Sequence, residues 1–156
     1  MKASWKRLTA HLLLPLAVGG AAALLTRNGM GAFQQLALPP LTPPGWVFPV
    51  VWTALYLLMG AAAFLALGPQ APQGRVRRGW GLYGAQLAAN FLWPLLFFRW
   101  GLLWAALAWL GALWLLVLAT LAAVWRLDRR AGQLLLPYLA WVTFAGYLNL
   151  GVALGN

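Results

Sequence analysis

The chain has 156 residues, of which 63% are hydrophobic and 8% are charged, and its formal net charge is +10. Roughly a quarter of the residues in a soluble domain are charged, so this composition excludes a water-soluble globular protein and predicts one membrane domain of a few helices, over residues 1–156. No cysteine is present, which excludes a disulfide, a thiolate nucleophile and a cysteine metal site. The basic residues lie in short segments between apolar runs, so membrane lipid rather than nucleic acid is the expected partner.

The first apolar run covers about residues 8–26, behind a short basic leader. A basic start before an apolar core is also typical of a signal peptide. This run is long for a signal peptide, and residues 21–25 offer only a weak cleavage pattern, so we interpret it as a retained helix. His11 lies inside it, and a single histidine without a carboxylate or cysteine nearby does not predict a metal site.

A long loop rich in Gly, Gln and Pro follows over residues 27–45. Loops of this length are usually functional or disordered. Its prolines fix φ and remove amide donors, so we expect an ordered cover over the helix that comes next. Pro44 and Trp46 are therefore candidates for ligand contacts, although Trp46 alone is equally typical of a membrane-interface residue.

Four further apolar runs lie at residues 46–67, 80–98, 102–125 and 131–153, and residues 68–79 form a hydrophilic connector. Each run is near the ~20 residues that a helix needs to cross a bilayer. Backbone groups in lipid must pair within the chain, and the alternating segments of a membrane β-barrel are absent. The sequence therefore predicts an all-α integral membrane protein, a bundle of five transmembrane helices.

The basic residues are distributed unequally between the two sides of this bundle. Of the 11 lysine and arginine residues, only Arg27 and Arg99 fall on the side of the proline-rich loop. The others are Lys2, Lys6, Arg7, Arg75, Arg77, Arg78, Arg126, Arg129 and Arg130. By the positive-inside rule we expect a cytoplasmic N-terminus in a bacterial inner membrane, with an outer membrane as the alternative.

Aromatic and amide side chains recur at helical spacing on three of the predicted helices. Trp52 and Tyr56 share one face of the second. The third has the stripe Gln86, Asn90, Trp93 and Phe97, and the fifth has Tyr138, Trp141, Ala145 and Leu148, with Phe144 beside them. Amides in a membrane are costly unless paired, so these stripes should face the bundle interior. They either enclose a flat apolar cavity suited to a large planar ring system or only hydrogen-bond one helix to another.

Ordinary catalytic groups are nearly missing, since the chain has one acidic residue, one histidine and no cysteine. The sequence therefore does not predict acid–base, nucleophilic or metal-dependent hydrolysis, and it favours chemistry carried by a ligand. Small residues offer a surface for a second copy, because they let helices approach closely in lipid. On the third helix these are Gly81, Gly84, Ala85 and Ala88, and a rival set on the fourth is Gly101, Ala105, Ala108 and Ala112.

Several of these motifs together resemble the TspO/MBR family, the tryptophan-rich sensory and translocator proteins, also called peripheral-type benzodiazepine receptors. The motifs are Pro43-Pro44-Gly45-Trp46-Val47-Phe48, Trp52-Thr53-Ala54-Leu55-Tyr56, Gln86-Leu87 with Asn90 and Trp93, and Pro137-Tyr138-Leu139-Ala140-Trp141. The resemblance implies a five-helix bundle, usually dimeric, that binds protoporphyrin IX, heme, sterols and synthetic isoquinolines. It favours the third helix as the dimer interface, with no obligatory cofactor.

By this resemblance, Trp52 and Trp141 match the pocket tryptophans tied to porphyrin handling. Other pocket positions are matched by Phe48, Tyr56, Asn90, Trp93, Ala145 and Leu148. The implied function is tetrapyrrole transport or stress-linked regulation; the alternative is light-dependent porphyrin degradation that uses the two tryptophans. The chain departs from its relatives at positions 40 and 41, where they often carry an aromatic residue. No basic residue follows Tyr147, so the family's sterol motif is incomplete.

Overall fold

The computed structural model describes residues 2–156, with side chains from Ser4 onward, and throughout these residues the regular structure is helical. The helices are α1 (Lys2–Thr26), α2 (Gly29–Gln34), α3 (Val47–Ala66), α4 (Gln73–Pro94), α5 (Leu103–Leu127) and α6 (Arg129–Gly155). A π-helical turn, Leu95–Arg99, continues α4. In this part of the chain α1, α3, α5 and α6 are each long and apolar enough to cross a membrane.

The five long helices close into a ring around one apolar core. α1 packs on α3, α3 on α6, α6 on α5, α5 on α4, and α4 on α1. The outward faces are apolar as well: Leu13, Leu24, Leu115 and Leu154 are all more than half exposed. Helices that are apolar on both their buried and their exposed faces need a lipid solvent.

The two ends of the bundle differ in charge. At one end, Arg7 of α1 approaches Gly68 after α3, and the start of α4 meets the end of α5. We call this the basic end. At the opposite end, which we call the loop end, the Asn156 side chain pairs with the backbone of Ala37 and Arg99 donates to the carbonyl of Leu25. The structure thus separates the basic clusters from the proline-rich loop.

Several element boundaries differ from the sequence prediction. The expected connector over 68–79 is largely helical, since α4 begins at Gln73, directly after Pro72. Arginine favours a helix and proline is tolerated at a helix start, so charge marks the end of the apolar region and not the end of the helix. The loop over 27–45 likewise contains the short helix α2, and α1 starts at Lys2 instead of Leu8.

Asp128, the single acidic residue, caps α6. Its Oδ1 accepts hydrogen bonds from the backbone amides of Arg130 at 2.8 Å and Ala131 at 3.2 Å. These amides have no partner inside the helix, and a carboxylate also complements the positive end of the helix dipole. Asp128 therefore has a structural role as the N-terminal cap of α6.

Candidate functional site

The proline-rich loop is held against the loop end of the bundle by hydrogen bonds. Tyr147 of α6 donates to the carbonyl of Pro40 at 2.7 Å, and Asn156 accepts from and donates to the backbone of Ala37 at 3.1 and 3.0 Å. Leu41, directly after the anchored Pro40, has a positive φ of 69°, an unfavourable conformation for a residue with a side chain. The loop is therefore a fixed cover with one strained residue at its exposed tip.

Two of the candidate loop residues lie on different sides of this cover. Pro44 and Gly45 line a cavity of about 190 Å³ beneath the loop, together with Met30 and Phe33. Trp46 is 69% exposed, so its side chain points away from the bundle core. Its position fits the alternative interpretation of Trp46 as a membrane-interface residue.

A larger cavity, of about 370 Å³, lies between α1, α2, the start of α3 and the end of α4. Its aromatic walls are Phe48, Trp52, Tyr56, Trp93 and Phe98. The amide of Asn90 also reaches it, and Arg27 stands at its edge. Its volume is within the ~300–1,000 Å³ typical of sites for small organic ligands, and its wall is mostly apolar with few polar groups.

A narrow second void of about 20 Å³ lies next to this cavity, on the side of α6. The two share Phe48, Trp52, Trp93 and Phe98, and the far wall of the second is formed by Phe97, Trp141, Ala145, Leu148 and Asn149. The shared aromatic side chains therefore act as a partition. The two spaces therefore lie side by side, with α1 bordering the larger one and α6 bordering the smaller one.

The predicted pocket and the observed one differ in their walls. The sequence placed the pocket between the loop and the helices with aromatic stripes. In the structure the larger of these two spaces is bounded by α1, while α6 borders only the narrow void; the α1 residues are Gly19, Ala22, Ala23 and Thr26. The side chains of Trp141 and Phe48 fill the α6 side, with ring centroids 6.1 Å apart, and leave little volume there.

A chain of buried hydrogen bonds runs behind the cavity and joins three helices. Tyr56 of α3 donates its hydroxyl to Asn90 Oδ1 at 3.0 Å, and Asn90 Nδ2 donates to Tyr138 Oη at 2.6 Å. Tyr138 in turn donates to Gln86 Oε1 at 2.7 Å. Gln86 and Asn90 are 1% and 2% exposed, which confirms that the α4 stripe faces the interior. We call Tyr56, Gln86, Asn90 and Tyr138 the hydroxyl–amide network.

This network gives its members different roles. Tyr56 and Asn90 line the large cavity, so a ligand there can reach their polar atoms. Gln86 and Tyr138 are enclosed by protein and line none of the cavities described above. For these two the alternative interpretation, hydrogen bonding between helices, describes their position.

A second polar contact fixes the other end of the α4 stripe. Trp93 donates its indole N–H to Asn149 Oδ1 of α6 at 3.0 Å, and Asn149 donates to the carbonyl of Leu103. The ring of Phe97 stacks on Trp93 with centroids 5.4 Å apart. The Trp93 ring is therefore held edge-on to α6, while its face takes part in the partition between the two voids.

The two tryptophans singled out from the sequence occupy different environments. Trp52 borders both voids and stacks on Tyr56, with centroids 5.6 Å apart and an interplanar angle of 28°. Trp141 borders only the narrow void, where Phe48 and Phe144 pack against it. Its buried indole N–H finds no hydrogen-bond partner among the described residues. This indole N–H is the one unpaired buried donor described at the narrow void, and buried polar groups usually have a partner.

Two tryptophans near the basic end, Trp80 and Trp125, pack against neighbouring residues of the bundle. Trp80 contacts His11 and Tyr83, and Trp125 lies against Gly132. His11 Nδ1 is 2.7 Å from the carbonyl of Arg7. Within residues 2–156, no group of three His, Cys, Asp or Glu side chains is placed to hold a metal ion.

Sequence reasoning missed the contribution of α1 to the cavity. Gly19, Ala22, Ala23 and Thr26 follow one another at helical spacing, so they form one face of small side chains. This spacing was the available signal, but small residues in an apolar helix are equally typical of tight packing. Arg27 at the cavity edge was seen only as a loop charge.

Comparison with known proteins identifies the family. The profile of the TspO/MBR family matches residues 11–154. The chain belongs to the TspO/MBR family. It is 37% identical over 140 residues to the tryptophan-rich protein TspO of Chlorobaculum tepidum, which covers 89% of each chain. It is 42% identical over 117 residues to the tryptophan-rich sensory protein of Cereibacter sphaeroides, covering 75% of this chain and 72% of that one.

An animal relative matches over a still larger part of the chain. The translocator protein of Bos taurus is 36% identical over 153 residues, covering 96% of this chain and 89% of the bovine one. Membership in the TspO/MBR family and the several apolar helices together identify an integral membrane protein. The family resemblance predicted from the sequence motifs is confirmed.

Proposed function

We propose that this protein binds porphyrins and related tetrapyrroles, such as protoporphyrin IX or heme, inside the membrane. The observation that carries the proposal is the cavity of about 370 Å³ between α1, α3 and α4, with aromatic walls and a partition that faces a second void. Flat conjugated rings stack favourably between Trp and Phe side chains. The amide of Asn90 and the hydroxyl of Tyr56 supply polar contacts for a ring nitrogen or a substituent.

Arg27 determines the proposed orientation of the porphyrin in the site. It lies at the cavity edge near the loop end, where a guanidinium group can pair with the carboxylate arms of a porphyrin. The macrocycle would then occupy the aromatic interior and the carboxylates the rim. No obligatory cofactor is part of this proposal, because the tetrapyrrole is the ligand.

Quenching of tryptophan fluorescence by protoporphyrin IX in detergent micelles tests this arrangement. Arg27→Gln should weaken binding about two- to fivefold, since an exposed ion pair contributes up to about 1 kcal/mol. The dimethyl ester of the porphyrin should bind wild type and variant alike. Arg99→Gln is the matched control, because Arg99 donates to the carbonyl of Leu25 and does not line the cavity. Equal weakening by both variants would contradict the proposed direction.

The biological role we propose is tetrapyrrole transport or stress-linked regulation. The relatives carry the names translocator protein and tryptophan-rich sensory protein, and these names fit either role. An aromatic cavity of moderate volume, next to a fixed loop, suits reversible capture of a ligand from the membrane.

A second candidate function is light-dependent degradation of the bound porphyrin. It is favoured by Trp52, which borders both voids and stacks on Tyr56, so an excited porphyrin would contact an oxidisable ring. Illumination of the complex in air should then bleach the pigment in the wild type but not in Trp52→Phe or Trp141→Phe. Quenching without bleaching would support binding alone.

For the topology, we propose that α4 is the fifth spanning helix. Its 22 residues extend about 33 Å, its polar stripe is buried, and its arginines lie in its first turns at the basic end. The positive-inside rule then puts the basic end and the N-terminus in the cytoplasm, in a bacterial inner membrane. Because the chain has no cysteine, Arg77→Cys and Leu41→Cys can be labelled singly with an impermeant reagent. In intact cells stripped of their outer membrane, only Leu41→Cys should react.

A homodimer through α4 completes the proposal. Gly81, Gly84, Ala85 and Ala88 are exposed on the outer face of α4, opposite its buried stripe. The rival small residues near and on α5 are exposed as well, so this surface is also open to a second copy; they are Gly101, Ala105, Ala108 and Ala112. Small residues let two helices approach closely. Cysteines placed singly at positions 84 and 88 should trap a dimer, and a dimer trapped only at 105 and 112 would assign the interface to α5.

A further inference from the structure

A fourth cavity, of about 300 Å³, lies at the basic end between α4 and α5, away from the aromatic site. Arg75 and Arg78 line it from α4, and Arg126 lines it from α5. The rest of its wall is apolar and is formed by Leu82, Ala119, Ala122 and Ala123. We call this space the arginine groove.

The order of residues along each helix gives the arginine groove two chemically distinct parts. On α4, the positions of Arg75, Arg78 and Leu82 share one face, with the charges nearer the helix start. On α5, Ala119 and Ala122 precede Arg126, which lies in the last turn. The positive groups therefore stand at the end of the bundle, while the apolar part runs along the helices toward its middle.

The chain cannot neutralise these arginines from its own side chains. It has 11 lysine and arginine residues and one acidic residue. That residue is Asp128, whose Oδ1 is already an acceptor for the first amides of α6. Guanidinium groups bind phosphate oxygens through paired N–H donors. Any anion that pairs with these exposed arginines, beyond the solvent that hydrates them, therefore comes from outside the chain.

We propose that the arginine groove binds one anionic phospholipid. The phosphate lies among Arg75, Arg78 and Arg126, and the first part of an acyl chain lies along Leu82 and Ala122. The occupant is a lipid rather than a free anion because the groove combines charge with an apolar wall at the end of membrane helices, where head groups and acyl chains are already adjacent. The proposal rests on the membrane location alone and is independent of tetrapyrrole binding.

Native mass spectrometry in micelles that contain equal amounts of phosphatidylglycerol and phosphatidylcholine tests the proposal. The groove variant is Arg75→Gln/Arg78→Gln/Arg126→Gln. The matched control is Arg77→Gln/Arg129→Gln/Arg130→Gln, which removes the same charge from the same end but does not line the groove. Each basic residue near an anionic surface contributes roughly a fivefold preference. We expect the groove variant to lose the preference for phosphatidylglycerol at least about tenfold more than the control.

A second pair of variants tests the apolar half and keeps all charges. Ala122→Trp fills the groove from an exposed position, so the fold should tolerate it, and Leu115→Trp is its control at an exposed site outside the groove. Only Ala122→Trp should reduce retained phosphatidylglycerol. Equal losses in both triple variants, or none, would overturn the proposal in favour of diffuse attraction. A free anion would instead be assigned if two results occurred together: millimolar inorganic phosphate displaces the lipid, and Ala122→Trp retains as much phosphatidylglycerol as the wild type. These results would overturn the lipid assignment.

Discussion

Replacement of Asn90 by leucine tests the hydroxyl–amide network behind the cavity. Asn90 accepts from Tyr56 at 3.0 Å and donates to Tyr138 at 2.6 Å. In Asn90→Leu, Tyr138 still donates to Gln86, but the buried hydroxyl of Tyr56 loses its acceptor. An unsatisfied buried donor costs about 1–3 kcal/mol, and hydrogen bonds between membrane helices are at the low end. We therefore expect a loss of about 1–2 kcal/mol in the free energy of unfolding.

A double-mutant cycle separates this cost from simple loss of packing. Tyr56→Phe leaves Asn90 Oδ1 without its donor and should cost about 1 kcal/mol. Combining it with Asn90→Leu removes both partners of the hydrogen bond. The double variant should therefore lose about 1 kcal/mol less unfolding free energy than the two single variants lose in total. Unfolding by dodecyl sulfate in mixed micelles, followed by circular dichroism, measures these differences.

The control for the cycle pairs Asn90→Leu with Tyr147→Phe. Tyr147 donates to the carbonyl of Pro40 at the exposed loop end and does not touch the network. The losses in unfolding free energy from these two changes should be additive within about 0.3–0.5 kcal/mol. If the losses from Asn90→Leu and Tyr56→Phe are additive within the same limits, the hydrogen bond does not couple α3 and α4. That result would refute our reasoning about the network.

Three further predictions concern the walls, the cap and the tryptophans. Gly19→Ala would place a methyl group against the Tyr56 ring and should lower the free energy of unfolding by about 1–3 kcal/mol. The control Gly20→Ala places its methyl group in open space and should be neutral or stabilising. Equal effects of the two variants would contradict the close approach of α1 to α3. Asp128→Asn should cost at most about 1 kcal/mol in thermal unfolding and preserve porphyrin binding, whose complete loss in a folded variant would show that the cap is not purely structural. In fluorescence titrations with protoporphyrin IX, Trp141→Ala should weaken binding at least about tenfold more than Trp125→Ala, and equal effects would argue against an inward role for the α6 stripe.

The predicted inward face of α4 follows from a strong local signal. Amides are so costly in lipid that their spacing alone indicates which side of a helix is buried, and Gln86 and Asn90 are where that argument puts them. Their partners could not be predicted, because Tyr56 and Tyr138 lie far away in the sequence and meet Asn90 only through tertiary packing. The same periodicity is compatible with a ligand cavity and with bonds between helices.

The α1 wall and the true start of α4 were missed for opposite reasons. The α1 wall has no aromatic residue, and the hydroxyl of its one polar residue, Thr26, bonds to the backbone of α1. Nothing local therefore distinguishes a cavity wall from tight packing. Tight packing does occur on the same helix, where a Cβ at Gly60 of α3 would meet the α1 backbone. The arginines of α4 do carry a marker, but hydropathy indicates where lipid ends and not where a helix ends. The π-helical turn at the end of α4 could have been predicted from Pro94, because this proline lacks an amide donor and lies immediately before the turn.

The most direct test of the proposed function fills the large cavity and measures protoporphyrin IX binding by tryptophan quenching. Ala23→Phe projects a ring into the cavity from an exposed position on α1, and Ala21→Phe places the same ring on α1 outside the cavity lining. Tetrapyrrole binding in this cavity predicts saturable quenching for the wild type and Ala21→Phe, with affinity at least about tenfold weaker for Ala23→Phe. Undiminished binding by a folded Ala23→Phe variant would contradict it.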